Sequence, residues 1–359
     1  MRFPVEQLQR FVADVLVAVD VLPEHASTTA RRLLEADMRG RTGHGLIRLP
    51  QYVPRIEAGG INLRPRIALS RETPVSALVD GDNGLGQVVM TLATETAIAK
   101  AADVGMAWVG TVHSNHAGAA GVYTAMAVER GLIAIYMAVA SANVMPPWGG
   151  RERLLGTNPI SIAIPTGEEH PFLLDIATTV TSHGTIKVLA QRGEQMPEGW
   201  VVDLEGNPIL DPRRADEGFL MPIGGYKGSG LNLAIGLLAG VLNDAAFGAE
   251  VIDHRKVPEH PANTGQAILV MRPDLFRDLD EFRSAMDHHL RVLRASGEPG
   301  RVHLPGEMAA EMEAEQREKG IPVGEVLLGQ LRDLGARLGV ELPTSAAGER
   351  GSTSGRGLV

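Results

Sequence analysis

The chain is predicted to fold as an α/β protein, a three-layer core of sheet and helices, with a further helical layer contributed by both chain ends. Two patterns predict this. Between residues 76 and 275, short runs that are mostly apolar on both faces alternate with helix-length segments, and such strands need cover on both sides. Outside that stretch apolar residues recur every three to four positions, the period of an amphipathic helix.

From Pro4 to about Glu35 the helical face is marked by Leu8, Val12, Leu16 and Val19. Ser27 and Thr28 are expected to cap a second helix that ends near Gly40. A polar, glycine-rich turn, Arg39-Gly-Arg-Thr-Gly-His-Gly45, precedes Leu46, Leu49 and Tyr52, the apolar side of another short helix. Strands are expected from Ala77 to Asp80, Met106 to Val112, Leu132 to Ala140, Ile160 to Ile164, Phe172 to Ile176 and Ala267 to Met271. Helices are expected from Leu85 to Ala102, from Ala119 to Glu129, and from Leu231 to Asn243, the last so apolar that burial is expected. Helical periodicity returns from Phe276 to Ala295 and from Glu307 to Leu338. The stretch from Pro343 to Val359 is Ser/Gly-rich without period and reads as a disordered tail.

Composition narrows the function. Lys and Arg number 34 against 43 Asp and Glu, a net charge of −9 with no basic block, so neither nucleic acid nor an anionic membrane is an expected partner. The absence of cysteine excludes thiol nucleophiles, disulfides and iron–sulfur clusters. Met1 to Asp20 carries Glu6, Arg10 and Asp14 at helical spacing, unlike a signal peptide. The most apolar stretch is too short to span a bilayer, so a soluble, cytoplasmic protein is expected.

The usual nucleotide fingerprints fail. Gly84-Leu-Gly86 meets Val89 where a third glycine is needed, Gly228-Ser-Gly230 meets Leu233, and in Gly225-Tyr-Lys227-Gly the lysine lacks a following Ser or Thr. His113 and His116 stand three apart without the Glu of a helical zinc motif, and His288-His289 are neighbours that face different ways. No metal site is expected.

Three segments concentrate titratable side chains. In Arg39 to Arg48, glycines expose His44, and Arg48 lies four residues on, the same face of a helix starting there. His113-Ser-Asn-His116-Ala-Gly118 follows an apolar strand, where α/β sheets place ligands. In Phe172 to Thr179, Asp175 ends an apolar run and needs a partner, with His44 or His116 the natural candidate. Read singly, each has a plainer role: His44 as a turn donor, Asp175 as a turn former, Arg48 as a surface ion pair. Two further segments read as ligand-binding backbone: Ser141 to Gly150, continuing to Thr157-Asn158-Pro159, and Met221 to Gly230. The latter runs into the apolar helix with Lys227 and free N–H groups that favour an anion such as phosphate.

On these strings the sequence resembles the malate/L-lactate dehydrogenase family of non-Rossmann, nicotinamide-dependent oxidoreductases. The matches are Arg39-Gly-x-x-x-His44-Gly-x-x-Arg48-Leu-Pro-x-Tyr52, Ser114-Asn-His116-x-Gly118, Pro147-Trp-Gly-Gly-Arg151, Leu155-Gly-Thr-Asn-Pro159, Leu174-Asp175-x-Ala177-Thr178, Gly224-Gly-x-Lys227-Gly228 and Leu304-Pro-Gly-Glu307. The family includes ureidoglycolate, sulfolactate and diketogulonate-type dehydrogenases and the ketimine reductases. The resemblance implies a family-specific mixed sheet, a homodimer, and NAD or NADP bound without the glycine fingerprint. It implies His116 as general acid/base beside His44 and Asp175, with Arg48 and Thr157 on the substrate. Ser141, Thr157, Asn158, Pro159, Asp175, Ile176, Ala177, Gly225, Lys227, Gly228, Pro305, Gly306 and Glu307 would line the cofactor cleft. The implied division is an N-terminal helical part of the substrate domain (1–75), a central cofactor-binding domain (76–275), C-terminal helices returning to the helical layer (276–342) and a tail (343–359). Ketimine-reductase-like members carry Ser immediately before the His-Gly pair, where this chain has Gly43, so their Ser-His-Asp relay does not carry over.

The expected chemistry is hydride transfer between nicotinamide and C2 of a small 2-hydroxy or 2-oxo acid. Histidine, with a reference pKa of about 6.5, suits the accompanying proton, and a guanidinium can hold a carboxylate bidentately. The alternatives are an NAD(P)H-dependent cyclic imino-acid reductase, a metal-dependent hydrolase and a non-catalytic binder of the same fold.

Overall fold

Helical periodicity at the N-terminus becomes a pair of packed helices. In this computed structural model, which describes residues 1–345, β1 (Arg2–Phe3) leads to α1 (Val5–Ala18), α2 (Pro23–Met38) and α3 (Leu49–Glu57). α2 begins at Pro23, so Ser27 and Thr28 lie inside it instead of capping it; proline's fixed φ suits the first helical position and Leu22 is the N-cap residue. Leu8, Phe11, Leu16, Leu33, Leu49 and Val53 interlock in one buried cluster.

The sheet begins at β2 (Ala68–Thr73), ahead of the position expected from the apolar runs, because this edge strand is almost wholly exposed and carries no apolar signature. It pairs with β3 (Ser76–Asp80); α4 (Gly86–Val104) then crosses to β4 (Met106–Val112), which runs parallel to β3. α5 (Gly121–Val128), β5 (Ile133–Ala138), β6 (Ile160–Ile164) and β7 (Phe172–Ile176) follow. α6 (His183–Arg192), β8 (Val201–Val202) and β9 (Phe219–Leu220) form a small lobe around Ile186, Met196, Val201, Ile209 and Leu220. The chain returns through α7 (Tyr226–Ala239) to β10 (Gln266–Met271), which inserts between β4 and β5 with Ile268 opposite Val109 and Tyr136. The seven-stranded order is β2-β3-β4-β10-β5-β6-β7, a mixed sheet in which β3 and β4 are the parallel pair.

α4 and α5 cover one face of the sheet and α7 the other. The expectation that Leu231 to Asn243 is buried does not hold. One stripe, including Ile235 and Ala239, packs on Met137 and Val139, while Leu237, Leu238, Val241 and Leu242 face outward, the last 63% exposed. A single helix touches a sheet along one stripe, and nothing else in the described chain covers the opposite one. The remaining elements are α8 (Leu279–Arg294), α9 (Glu307–Lys319), β11 (Ile321–Pro322) and α10 (Glu325–Leu338). The helix expected from Glu307 to Leu338 is thus two, parted at Gly320, and α10 adds Leu328 and Leu331 to the N-terminal apolar cluster. β11 pairs antiparallel with β1, Arg2 opposite Pro322. The expected tail lies, from 346 onward, outside the described residues.

Candidate active site

The glycine-rich turn after α2 folds as two short 3₁₀ turns, Thr42–His44 and Leu46–Arg48. Buried Asp37 anchors them, its Oδ2 accepting the Leu46 N–H at 2.6 Å; burial pushes its carboxyl up to about 7. Arg48 is fixed by donating from Nε to the Gly43 carbonyl at 2.7 Å and from Nη1 to Gln51 Oε1 at 2.9 Å. Its Nη2 has no partner among the described residues. A carboxylate would therefore meet the Nη1/Nη2 end of the guanidinium, since the Nε edge is closed by Gly43.

The loop after β4 brings His116 against this turn. It can come close because Gly86 lies beneath it: a Cβ there would stand 2.2 Å from the Asn115 carbonyl oxygen and 2.6 Å from that of His116. His116 Nε2 lies 3.2 Å from His44 Nδ1, with the rings stacked at 13°. On its other side His116 Nδ1 lies 2.7 Å from the Tyr52 hydroxyl, which accepts a hydrogen bond from Gln87 Nε2 at 2.7 Å. His254, only 4% exposed, meets His116 edge-on with centroids 6.4 Å apart. The structure therefore brings together the sequence candidates His44, His116 and Arg48, and adds Tyr52, Gln87 and His254. Tyr52 reads in sequence as part of an apolar helical face, which it is, apart from its hydroxyl. Gln87 follows a failed glycine fingerprint, and His254 lies in an irregular segment with no pattern to mark it.

Burial, followed by the charges of Arg48 and Arg41, lowers His44 to about 3. Burial and Arg48 hold His116 well below the usual imidazole range, and burial with Arg55 and Arg48 takes His254 to about 3. Burial pushes Tyr52 up to about 12. Near neutral pH this is a cluster of uncharged proton-exchanging groups beside a cationic guanidinium, a setting suited to an anion that gains or loses a proton.

These shifts fix the pH dependence of stability. Below about 6.5 the unfolded imidazoles bind protons that the native ones do not. The stability contributed by His44, His116 and His254 is thus complete above about 6.5 and lost as pH falls, toward about 3 for His44 and His254 and well below the usual imidazole range for His116. Asp37 acts oppositely, its contribution being complete below about 4 and lost as pH rises through about 7. The three imidazoles outweigh the two buried carboxyls that are raised, Asp37 and Asp175, at about 1.4 kcal/mol per pH unit each. The thermal midpoint is expected to climb between pH 4 and 6.5, and to climb less in His254→Gln; a flat profile in the parent would contradict this burial.

Asp175 does not pair with an imidazole as expected. It lies 3.5 Å from Arg41 Nε and accepts the Gly121 N–H at 3.1 Å; burial raises its carboxyl and Arg41 opposes the rise. The reason is local: Arg41, three residues before His44, reaches the same strand end first and also donates to the Asp175 carbonyl at 2.9 Å.

The cofactor candidates fall into two kinds. Asn158 is buried and its amide is fully engaged, accepting the Ala140 N–H and donating to Asn232. Asn232 in turn donates to the Gly156 carbonyl and Thr178, so Asn158 shapes the loop instead of facing a ligand. The Glu307 carboxylate is likewise taken by the Leu304 N–H and Arg294. Ser141, Thr157, Pro159, Ile176 and Ala177 are half-buried around this network, and the Pro305 carbonyl accepts from Leu173 beside Asp175. Lys227, in the first turn of α7, is exposed and forms no ion pair among the described residues. Among these residues no cluster of three or more ligating side chains is placed to hold a metal, and no helix is long and apolar enough to cross a membrane.

Residues 3–332 match the malate/L-lactate dehydrogenase family. A malate dehydrogenase of Pyrococcus horikoshii is 38% identical over 95% of this chain and 96% of its own. The L-sulfolactate dehydrogenase of Methanocaldococcus jannaschii is 37% identical over 94% and 97%, and the solved structure of a sulfolactate dehydrogenase from that organism superposes with a TM-score of 0.87 at 35% identity, covering 95% of this chain and 98% of that one. A Δ1-pyrroline-2-carboxylate reductase of Ancylobacter novellus is 31% identical over 94% and 98%. With this sheet order, this site and these matches along nearly its whole length, the chain belongs to the malate/L-lactate dehydrogenase family, a family of dehydrogenases and reductases whose chemistry implies a nicotinamide cofactor.

Proposed function

We propose that the chain is an NAD(P)-dependent oxidoreductase of the alcohol-dehydrogenating type, acting between C2 of a small 2-hydroxy acid and the corresponding 2-oxo acid. The observation that carries this reading is the juxtaposition of two hydrogen-bonded neutral imidazoles, His116 and His44, with the partly free guanidinium of Arg48. Arg48 would take the substrate carboxylate and so fix which face of C2 is presented. The His116–His44 pair would move the proton at the substrate oxygen, one imidazole supporting the other as charge develops there. Thr157 would stand beside the substrate, and Asp175 would set the position of Arg41 and the β7 end instead of joining the proton path.

The residues present fit a dinucleotide. A Cβ at Gly228 would lie 1.8 Å from the Ile223 carbonyl oxygen, and Gly225 has φ +65°, so the backbone turns tightly into α7. The first N–H groups of that helix have no intrahelical acceptor, and with the unpaired Lys227 they form a donor set for phosphate. Ser141, Thr157, Pro159, Ile176, Ala177, Pro305 and Gly306 would complete the walls. When bound, the nicotinamide supplies or accepts the hydride. The outward stripe of α7 is the surface we assign to a homodimer, readable by light scattering as a particle of twice the chain mass, and the chain is read as cytoplasmic.

Absorbance at the reduced-nicotinamide band, with NADH and NADPH against a panel of 2-oxo acids and cyclic imino acids, is expected to show turnover with a 2-oxo acid. Turnover with cyclic imino acids alone would transfer the chain to the ketimine reductases. Binding of either cofactor without turnover would leave it a non-catalytic binder.

A further inference from the structure

Both ring nitrogens of His116 are occupied by other side chains, and this determines where the protons sit. Gln87, fully buried in the first turn of α4, donates from Nε2 to the Tyr52 oxygen. The opposite orientation of that amide would leave both of its N–H donors buried without a partner, whereas the observed one engages one of them on Tyr52 and leaves the other, with the carbonyl oxygen Gln87 Oε1, unpartnered. With Gln87 donating to its oxygen, the Tyr52 hydroxyl has His116 Nδ1 as the acceptor within reach, 2.7 Å away. A neutral imidazole that accepts at Nδ1 carries its proton on Nε2. That proton points to His44 Nδ1 at 3.2 Å, which must then accept, leaving the His44 proton on its own Nε2. His44 Nε2 has no partner among the described residues.

We propose that Gln87 and Tyr52 are positioning residues that set the direction of a hydrogen-bond chain, Gln87 to Tyr52 to His116 to His44, so that the resting site ends in a donor, the Nε2–H of His44, aimed at a substrate oxygen. A carbonyl oxygen, an acceptor only, is the group such an end receives best, and the site is thereby prepared for the 2-oxo form of its substrate. The proton assignment stands on the hydrogen bonds of this chain; its use in recognising an oxo acid rests on the function proposed above.

The decisive measurement is histidine-labelled ¹⁵N–¹H correlation spectroscopy on the protein without substrate, assigned through His116→Ala and His44→Ala. Both rings are expected as single Nε2–H tautomers with bare Nδ1. An Nδ1–H on either ring reverses the chain and overturns the proposal, whatever the enzyme turns over. In Gln87→Leu the Tyr52 hydroxyl can point either way, so each ring is expected to show two tautomers; a single unchanged tautomer would remove Gln87 from the assignment. Tyr52→Phe tests the kinetic role. The charged and titratable groups facing His116 are Arg48 and Tyr52, Arg55 of α3, His44 and His254, and only the Tyr52 hydroxyl is deleted. Loss of a donor that favours the neutral ring should raise the acid limb of the kcat profile by up to about one pH unit and lower kcat by roughly 10- to 100-fold, the effect typical of partners that orient a functional histidine. KM for the acid should stay near its parent value. A lowered kcat with an unmoved acid limb would mark Tyr52 as packing alone and overturn its positioning role.

Discussion

Replacing His116 with alanine is expected to lower kcat by roughly 10²- to 10⁴-fold, while circular dichroism and the thermal midpoint near neutral pH stay close to the parent. The ring is half-buried in a loop, and the apolar clusters that hold the fold do not include it. Its loss leaves the Tyr52 hydroxyl and His44 Nδ1 facing a gap that water can enter. The variant also lacks one imidazole that resists protonation on burial, so it should lose less stability than the parent between pH 6.5 and 4. Near-normal turnover in His116→Ala would remove this residue from the chemistry and leave the acid/base work to His44 alone.

Arg48→Lys is expected to raise KM for the acid substrate by roughly 10- to 100-fold, the worth of a lost hydrogen bond to a charged group, although the charge is kept. Arg48 does two tasks at once: Nε and Nη1 tie the 3₁₀ turn to Gly43 and Gln51, while Nη2 remains for a ligand. A single ammonium has neither the planar spread nor the reach for both. Titration of the 2-oxo acid into the protein in the presence of reduced cofactor measures the effect. An unchanged KM would place the carboxylate elsewhere, with Arg41, Arg55 and Arg255 the other cations acting on the imidazoles.

The strands were the most legible part of the sequence. The runs from Met106 to Val112, Ile160 to Ile164 and Phe172 to Ile176 coincide with β4, β6 and β7, because a strand packed on both sides is apolar at nearly every position. β2 is hidden for the converse reason, as an exposed edge strand. The start of α2 is hard to read because Ser and Thr can cap but can also sit within a helix, whereas Pro23 can occupy little but its first turn. At the site, His44, His116 and Arg48 announce themselves by their setting among glycines and at a strand end. Their partners do not: Tyr52 of α3 and Gln87 of α4 are buried, and only the folded chain joins Gln87 to the Tyr52 hydroxyl and that hydroxyl to His116. The partner of Asp175 is not legible, because a strand end alone does not reveal that Arg41 reaches it.

The antiparallel contact between Arg2 and Pro322 orders events during synthesis. The first helices, α1 and α2, emerge from the ribosome before Leu328 and Leu331 of α10, which belong to the same apolar cluster, so that cluster stays open until α10 is made. The sheet, by contrast, is complete once residue 271 is out. Nascent chains halted between these points should therefore carry a finished sheet beside an unfinished helical layer, and should depend on chaperones for that layer alone.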